Sequence, residues 1–209
     1  APVVDVNINP ANPIIGVRSF GADTEVVGKM GGALINGLQK GGIMAVAKHF
    51  PGHGSPVGDT HLGFVDASDT WQETELYPYE KLANTNDLQM VMVSHIYIKK
   101  LDEKYPASQS KKITTGILRN KIGYNGVVIT DDLHMGAIRN NYSLEEIVIN
   151  SINAGNDILL FSNYKDIDTT TPKKVNKIIK KAIKQSPNLI IDISRIKKSP
   201  ERNIKKFTS

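Results

Sequence analysis

The sequence has no cysteine in its 209 residues. That excludes disulfides and thiolate metal sites, and it fits a reducing, cytoplasmic setting. Aromatic residues are sparse, at 6%, with a single tryptophan, Trp71. No apolar run approaches the roughly 18 residues that a membrane span needs. The opening Ala1-Pro2-Val3-Val4-Asp5-Val6 has neither a basic n-region nor an initiating methionine. It therefore reads as a strand rather than a secretory signal. No GxGxxG or Walker A pattern occurs, so the usual phosphate-binding turns are missing. What is present is an ordinary globular composition, 40% hydrophobic and 22% charged, in a length suited to one domain over residues 1–209.

The net charge of +5 is unevenly spread. Residues 172–209 hold 12 of the 26 basic residues against two acids, Asp192 and Glu201, whereas the remaining 171 residues carry 14 bases and 19 acids. The positive charge thus sits on a basic C-terminal helical segment, where a solvated lysine face is the expected reading. That segment lacks interleaved aromatics, so nucleic-acid binding is not expected.

Alternating apolar and helical patterns run along the chain. Strands are expected at Val3–Asn7, Met44–Lys48, Leu88–Ile96, Val127–Thr130 and Asp157–Phe161. Helices are expected at Thr24–Lys40, an amphipathic stretch with Val27, Met30, Ala33, Leu34 and Leu38 at helical spacing, and at Thr114–Lys121. A further helix opens with a Ser143–Glu146 capping box and closes near Gly155, and another covers 173–185. The strand cores Met44-Ala45-Val46-Ala47, Met90-Val91-Met92-Val93 and Gly126-Val127-Val128-Ile129 are continuously apolar, as in a parallel sheet covered on both faces. Lys48-His49, Ser94-His95 and Thr130-Asp131 each lie just past such a core. Reactive groups at the C-terminal ends of several strands are the pattern of a (β/α)₈ TIM-type barrel rather than a doubly wound sheet. About five strands are visible where a full barrel needs eight. The expected fold is therefore an α/β barrel incomplete on its N-terminal side by two or three β/α units.

All five histidines, His49, His53, His61, His95 and His134, fall at strand ends or in the loops that follow. Any one of them alone could be a hydrogen-bonded structural residue; the clustering is the informative feature. In Lys48-His49-Phe50-Pro51-Gly52-His53-Gly54, proline and glycines enforce a sharply turned loop. Asp59 and His61, two residues apart, can meet if the loop bends. A carboxylate beside an imidazole fixes its tautomer and raises its basicity, which suits proton transfer near neutral pH. The plain alternative is that Asp59 caps a turn and His61 is merely exposed. In Ile129-Thr130-Asp131-Asp132-Leu133-His134-Met135, two adjacent carboxylates cannot point the same way. One should face the barrel mouth while the other is held by its neighbours, unless the pair only caps a helix.

The segments KHFPGHG, then DTH, and later ITDDLHM resemble the signatures of family 3 glycoside hydrolases. They are most similar to its bacterial β-N-acetylglucosaminidases of the NagZ type, the β-hexosaminidases of peptidoglycan recycling. The stretch Asn9 to Phe20 resembles the family's segment after its third barrel strand, and the resemblance runs in order from residue 2 to about 162. It implies a nucleophile at Asp131, an acid/base at His61 polarised by Asp59, and sugar contacts from Arg18, Lys48 and His49. It also implies that His95 lines the same pocket and that Met135 lies near the sugar. It implies no cofactor and no metal. The implied partner is a GlcNAc-containing muropeptide substrate, together with the missing N-terminal part of the barrel. The family's further sugar-binding Asp and Arg have no counterpart in this reading, and His134 stands where Ser or Asn is common.

Three other readings compete: another family 3 β-glycosidase, a metal-dependent hydrolase, and a non-catalytic sugar-binding module. For a metal site, His49, His53, Asp59, His61, His95 and Asp131 would be the ligands to draw on. Their placement on a Pro/Gly turn differs from the helical spacing of HExxH.

Overall fold

The structure, a computed structural model, describes residues 1–85, 88–162 and 167–185. Its centre is a parallel sheet of three strands in the order β1 (Val46–Phe50), β2 (Met90–Val93) and β3 (Val127–Thr130). The register pairs Val46 with Met90 and Met90 with Val127, and it runs through to Val93 opposite Thr130. Isolated parallel bridges extend the sheet on both sides, Val3 to Lys48 and Ile129 to Ile158. Five parallel segments therefore lie side by side in chain order. A doubly wound sheet reverses its strand order at a switch point, whereas a barrel does not. This is the architecture of an incomplete (β/α)₈ barrel.

Two of the expected strands are reduced to these single bridges. Val3–Asn7 bends away after Val4, whose N–H still donates to Lys48 O at 2.7 Å. Asp157–Phe161 keeps backbone bonds to β3, with Ile158 N–H donating to Val128 O and Thr130 N–H to Ile158 O, each at 3.1 Å, and side chains add to them: Asp157 Oδ2 accepts from Val128 N–H at 2.8 Å and from Arg119 Nη2 at 2.7 Å. β1 lies two residues later than expected, and its register slips between Ala47 and Phe50, where the Lys48–His49 and Phe50–Pro51 peptides are cis.

Helix α1 (Thr24–Lys40) begins where expected, with Asp23 accepting from Val26 N–H as its N-cap. Val27 is buried and Leu38 packs against the core, but the rest of the buried face differs from the apolar set of the sequence. Val27, Gly28, Gly31 and Ile35 face inward, while Val26, Met30 and Leu34 are exposed. The glycines explain the rotation. A β-carbon on Gly31 would lie 2.6 Å from Val4 Cγ1, so the helix packs on the sheet through its flattest side. α2 (Tyr77–Ala83) lies against α1. Lys112–Lys121 is helical as expected but wound as a π-helix. After the four-residue α3 (Gly136–Arg139), helix α4 (Leu144–Ala154) carries the capping box, with Ser143 and Glu146 each satisfying the other's backbone N–H. It ends at Gly155 in the left-handed conformation. The last described helix is α5 (Thr171–Gln185); the rest of the basic segment lies outside the described residues. Among the described residues no helix is long and apolar enough to cross a membrane.

One core joins the sheet to the helices through Val4, Phe50, Val91, Val93 and Val128, with Val27 and Ile35 of α1, Tyr79 of α2 and Leu118 of the π-helix. A smaller one, Leu133, Ile138 and Ile147, anchors the chain beyond β3. Both cores fix the C-terminal strand ends, where the polar residues gather.

Candidate active site

The deepest polar group of the site is Asp5, which is fully buried. Its Oδ1 accepts from His49 N–H at 3.0 Å and His53 N–H at 2.8 Å, and its Oδ2 pairs with His49 Nδ1 at 2.6 Å. Burial alone would raise the Asp5 carboxyl, but the charge and hydrogen bonds of His49 hold it below the usual carboxylate range. His49 thus carries its proton on Nδ1, leaving Nε2 to meet a ligand. Asp5 follows the apolar Val3-Val4 as Lys48-His49 follows Ala45-Val46-Ala47, yet sequence reasoning passed over it. That repeated placement was the signal available to find it.

Glu75 supports the same loop from below. Its Oε2 accepts from Gly54 N–H at 3.0 Å and its Oε1 from Gln72 N–H at 3.2 Å. Burial pushes its carboxyl up to about 7, with the nearby Asp5 charge adding to the rise. The folded state therefore prefers protonated Glu75. Its stabilising effect is complete below the ordinary value of 4.5 and is lost as pH rises through about 7. Over that span the shift corresponds to on the order of 3 kcal/mol. Glu75→Gln, which mimics the protonated form, should flatten the fall in Tm expected of the parent between about pH 4.5 and pH 7. Thermal melts across that range provide the check, and parallel curves for the two proteins would sink the assignment.

Beyond β3, the two adjacent carboxylates divide their work. Asp132 is held by its surroundings: Oδ1 accepts from His134 N–H at 3.0 Å and Ser162 N–H at 2.9 Å, and Oδ2 accepts from the Ser162 hydroxyl. Burial opposes its ionisation, but these bonds outweigh it and keep its carboxyl below the ordinary value. Asp131 is half-buried and makes one side-chain bond, Oδ1 accepting from Asp132 N–H at 2.8 Å. Its second oxygen has no hydrogen-bond partner among the described residues, which is the state a nucleophile requires. Neither carboxylate caps a helix, since the N-cap of α3 is Met135.

His95 sits behind this turn. Its Nε2 donates to Asp132 O at 2.9 Å and its Nδ1 accepts from the Ser108 hydroxyl at 2.7 Å. Both ring nitrogens are committed to protein, so the buried ring braces the turn rather than offering a hydrogen bond to a ligand. Burial lowers the His95 and His53 imidazoles and keeps them neutral, while the Asp131 charge acts on both in the opposite sense. His49, His53, His95 and Asp131 are thereby gathered around one centre. Met135 is buried at the N-cap of α3, and Lys48 is half-buried in the middle of β1. Arg18 is exposed on the loop after Asn12, with Nε and Nη2 donating to Ile14 O at 3.0 and 2.7 Å. That loop is fastened to the site through Asn12, whose Nδ2 donates to His53 O at 2.8 Å.

The loop after His53 carries Asp59 and His61. Asp59 Oδ1 accepts from both His61 N–H at 2.8 Å and His61 Nδ1 at 2.7 Å. Burial opposes ionisation of the Asp59 carboxyl, but these bonds together outweigh it, and the carboxyl lies below its ordinary value. The His61 side chain is 55% exposed, so its Nε2 is open to substrate and solvent. Among the described residues, no group of three or more His, Asp or Glu side chains comes together as a metal-binding set. The metal-dependent reading therefore has no ligand set in this part of the chain.

Residues 1–204 match the model of the glycosyl hydrolase family 3 N terminal domain. The chain belongs to glycoside hydrolase family 3. Within the family it is 37% identical over 174 residues to "Beta-hexosaminidase A" of Pseudoalteromonas piscicida, covering 77% of this chain and 29% of that protein. It is 39% identical over 175 residues to "Beta-hexosaminidase LpqI" of Mycobacterium tuberculosis, covering 80% of this chain and 45% of that protein. A family 3 β-N-acetylglucosaminidase structure from Paenibacillus sp. str. FPU-7 superposes with a TM-score of 0.82 at 33% identity, covering 95% of this chain and 37% of that one. The chain therefore spans less than half the length of each of these family 3 relatives.

Proposed function

We propose that the chain is the catalytic part of a retaining glycoside hydrolase that releases terminal β-linked N-acetylglucosamine from peptidoglycan-derived fragments. The observation that carries this reading is the Asp59–His61 pair on a loop bonded to the segment that follows Asp131, a carboxylate with one oxygen that has no hydrogen-bond partner among the described residues. Asp131 attacks the anomeric carbon and forms a covalent glycosyl ester as the glycosidic bond breaks. His61, oriented through Nδ1 by Asp59, gives its Nε2 proton to the leaving oxygen. It then takes a proton from the water that cleaves the ester, and the carboxylate is regenerated. His49 Nε2 accepts from a sugar hydroxyl, and Lys48 and Arg18 donate to others. The names of the β-hexosaminidase relatives support the substrate class.

The barrel's free edge beside Val3 and the exposed Val26, Met30 and Leu34 stripe on α1 support a second part of the proposal. Two or three further β/α units, beyond the described residues or on another chain, complete the wall at that edge. The muropeptide portion of the substrate extends away from the His61 side, where the leaving group departs.

The test is the stereochemistry of an aryl β-N-acetylglucosaminide hydrolysis followed by proton NMR. Double displacement predicts that the β-anomer of N-acetylglucosamine appears first and then mutarotates. The α-anomer appearing first would overturn the mechanism. A folded chain that gives no turnover, even after further β/α units are added, would overturn the substrate class.

A further inference from the structure

The loop bearing His61 is tied to the chain that follows Asp131. Gly136 N–H donates to His61 O at 3.2 Å, and Ala137 N–H donates to Thr60 O at 3.1 Å. The approach is close enough to forbid a side chain. A β-carbon on Gly136 would lie 2.6 Å from Leu62 O and 3.0 Å from His61 O. Both obstacles are backbone atoms, so no flexible side chain could swing aside to relieve them. Gly136 is not among the glycines with positive φ. Its lack of a β-carbon therefore serves the contact and not a turn.

The two sides of the contact are unequally anchored. Asp131 N–H donates to Val93 O and Leu133 N–H to Leu160 O, each at 2.9 Å, and Leu133 is in the core behind α3. The loop over residues 59–63 has mostly internal bonds, with Leu62 and Gly63 N–H both donating to Asp59 O. A clash at Gly136 would be relieved by displacing the loop, not the nucleophile.

We infer that Gly136 is a positioning residue for proton transfer, seating His61 through its backbone carbonyl against the segment that follows Asp131. The inference rests on the glycosidase reading above. In Gly136→Ala the acid/base moves while Asp131 stays in place. Leaving groups that need a proton then suffer, and those that depart as stable anions do not.

The test compares kcat/KM of the full chain and two variants on dinitrophenyl and phenyl β-N-acetylglucosaminides. Gly136→Ala should lose about 10- to 100-fold on the phenyl substrate and stay within about threefold on the dinitrophenyl one. Azide, which needs no general base, should speed turnover of the dinitrophenyl glycoside by the variant. Gly63→Ala is the matched control, since a β-carbon there meets nothing within 4 Å; it should leave both substrates unaffected. Amide hydrogen exchange gives a readout independent of activity. Protection of the Ala137 N–H should fall in Gly136→Ala and persist in Gly63→Ala. Equal losses on both substrates, or no loss on either, would overturn the inference, as would unchanged protection at Ala137. A parent chain that cleaves neither substrate counts against the glycosidase reading instead, and the exchange data then decide the contact by themselves.

Discussion

Replacing Asp131 with alanine should lower kcat/KM on an aryl β-N-acetylglucosaminide by roughly 10⁴-fold or more, ~5 kcal/mol of transition-state stabilisation. Tm should barely move. Among the described residues the Asp131 side chain makes only the bond from Asp132 N–H, and the strand end around it is fixed by backbone bonds and by Asp132. Removing it leaves an opening beneath the anomeric carbon without disturbing the turn. Azide can enter that opening and attack from the face the carboxylate used. The rescued product should then be the α-glycosyl azide. A β-glycosyl azide would instead assign Asp131 to proton transfer, because azide would be replacing water at an intact glycosyl-enzyme. Loss of activity with no azide product would leave the acetamido oxygen of the substrate as the internal nucleophile. The three results are distinct, and only the first supports the double displacement through Asp131.

The parts of this architecture legible in the sequence are those governed by local rules. The capping box at Ser143, the N-cap before Thr24, the apolar core of β3 and the turn at Gly155 follow from residue chemistry within a few positions, and the structure has them there. The Asp131-Asp132 pair was readable for the same reason, since strand alternation forces the two carboxylates apart. What was not legible depends on partners far away in sequence. The buried face of α1 is set by Gly31 fitting against Val4, and a glycine leaves no mark in a hydrophobic pattern. Asp157 clamps the last segment to β3 with its side chain, through Val128 N–H and through Arg119, 38 residues earlier, and that addition to the backbone pairing leaves no trace in the local pattern. The family resemblance implied that His95 lines the sugar pocket. Only the positions of Ser108 and the Asp132 carbonyl show that both its nitrogens are taken.

Asp5 is the group whose loss should cost the fold most. Asp5→Ala removes a buried acceptor and leaves His49 N–H, His53 N–H and His49 Nδ1 facing an empty space. Breaking one side of a buried, hydrogen-bonded charge pair costs about 3–5 kcal/mol, a large part of a typical domain's stability. A marked drop in Tm and in the denaturant midpoint is expected, together with loss of activity. Because the Asp5 carboxyl is held below its ordinary value, its stabilising effect is complete above the usual carboxylate range. It is lost as pH falls through that lowered value, so the gap between parent and variant should narrow in acid. Asp5→Asn separates the structural role from the catalytic one. Its carbonyl can still accept the two backbone N–H groups, so most of the stability should return. Its amide, however, presents hydrogens to His49 Nδ1 and forces the proton onto Nε2. His49 would then donate where the parent accepts, and KM should rise by about tenfold, the worth of one well-placed hydrogen bond, with Tm near the parent's. An Asp5→Asn variant with unchanged KM would mean that His49 only supports the loop and never touches the sugar.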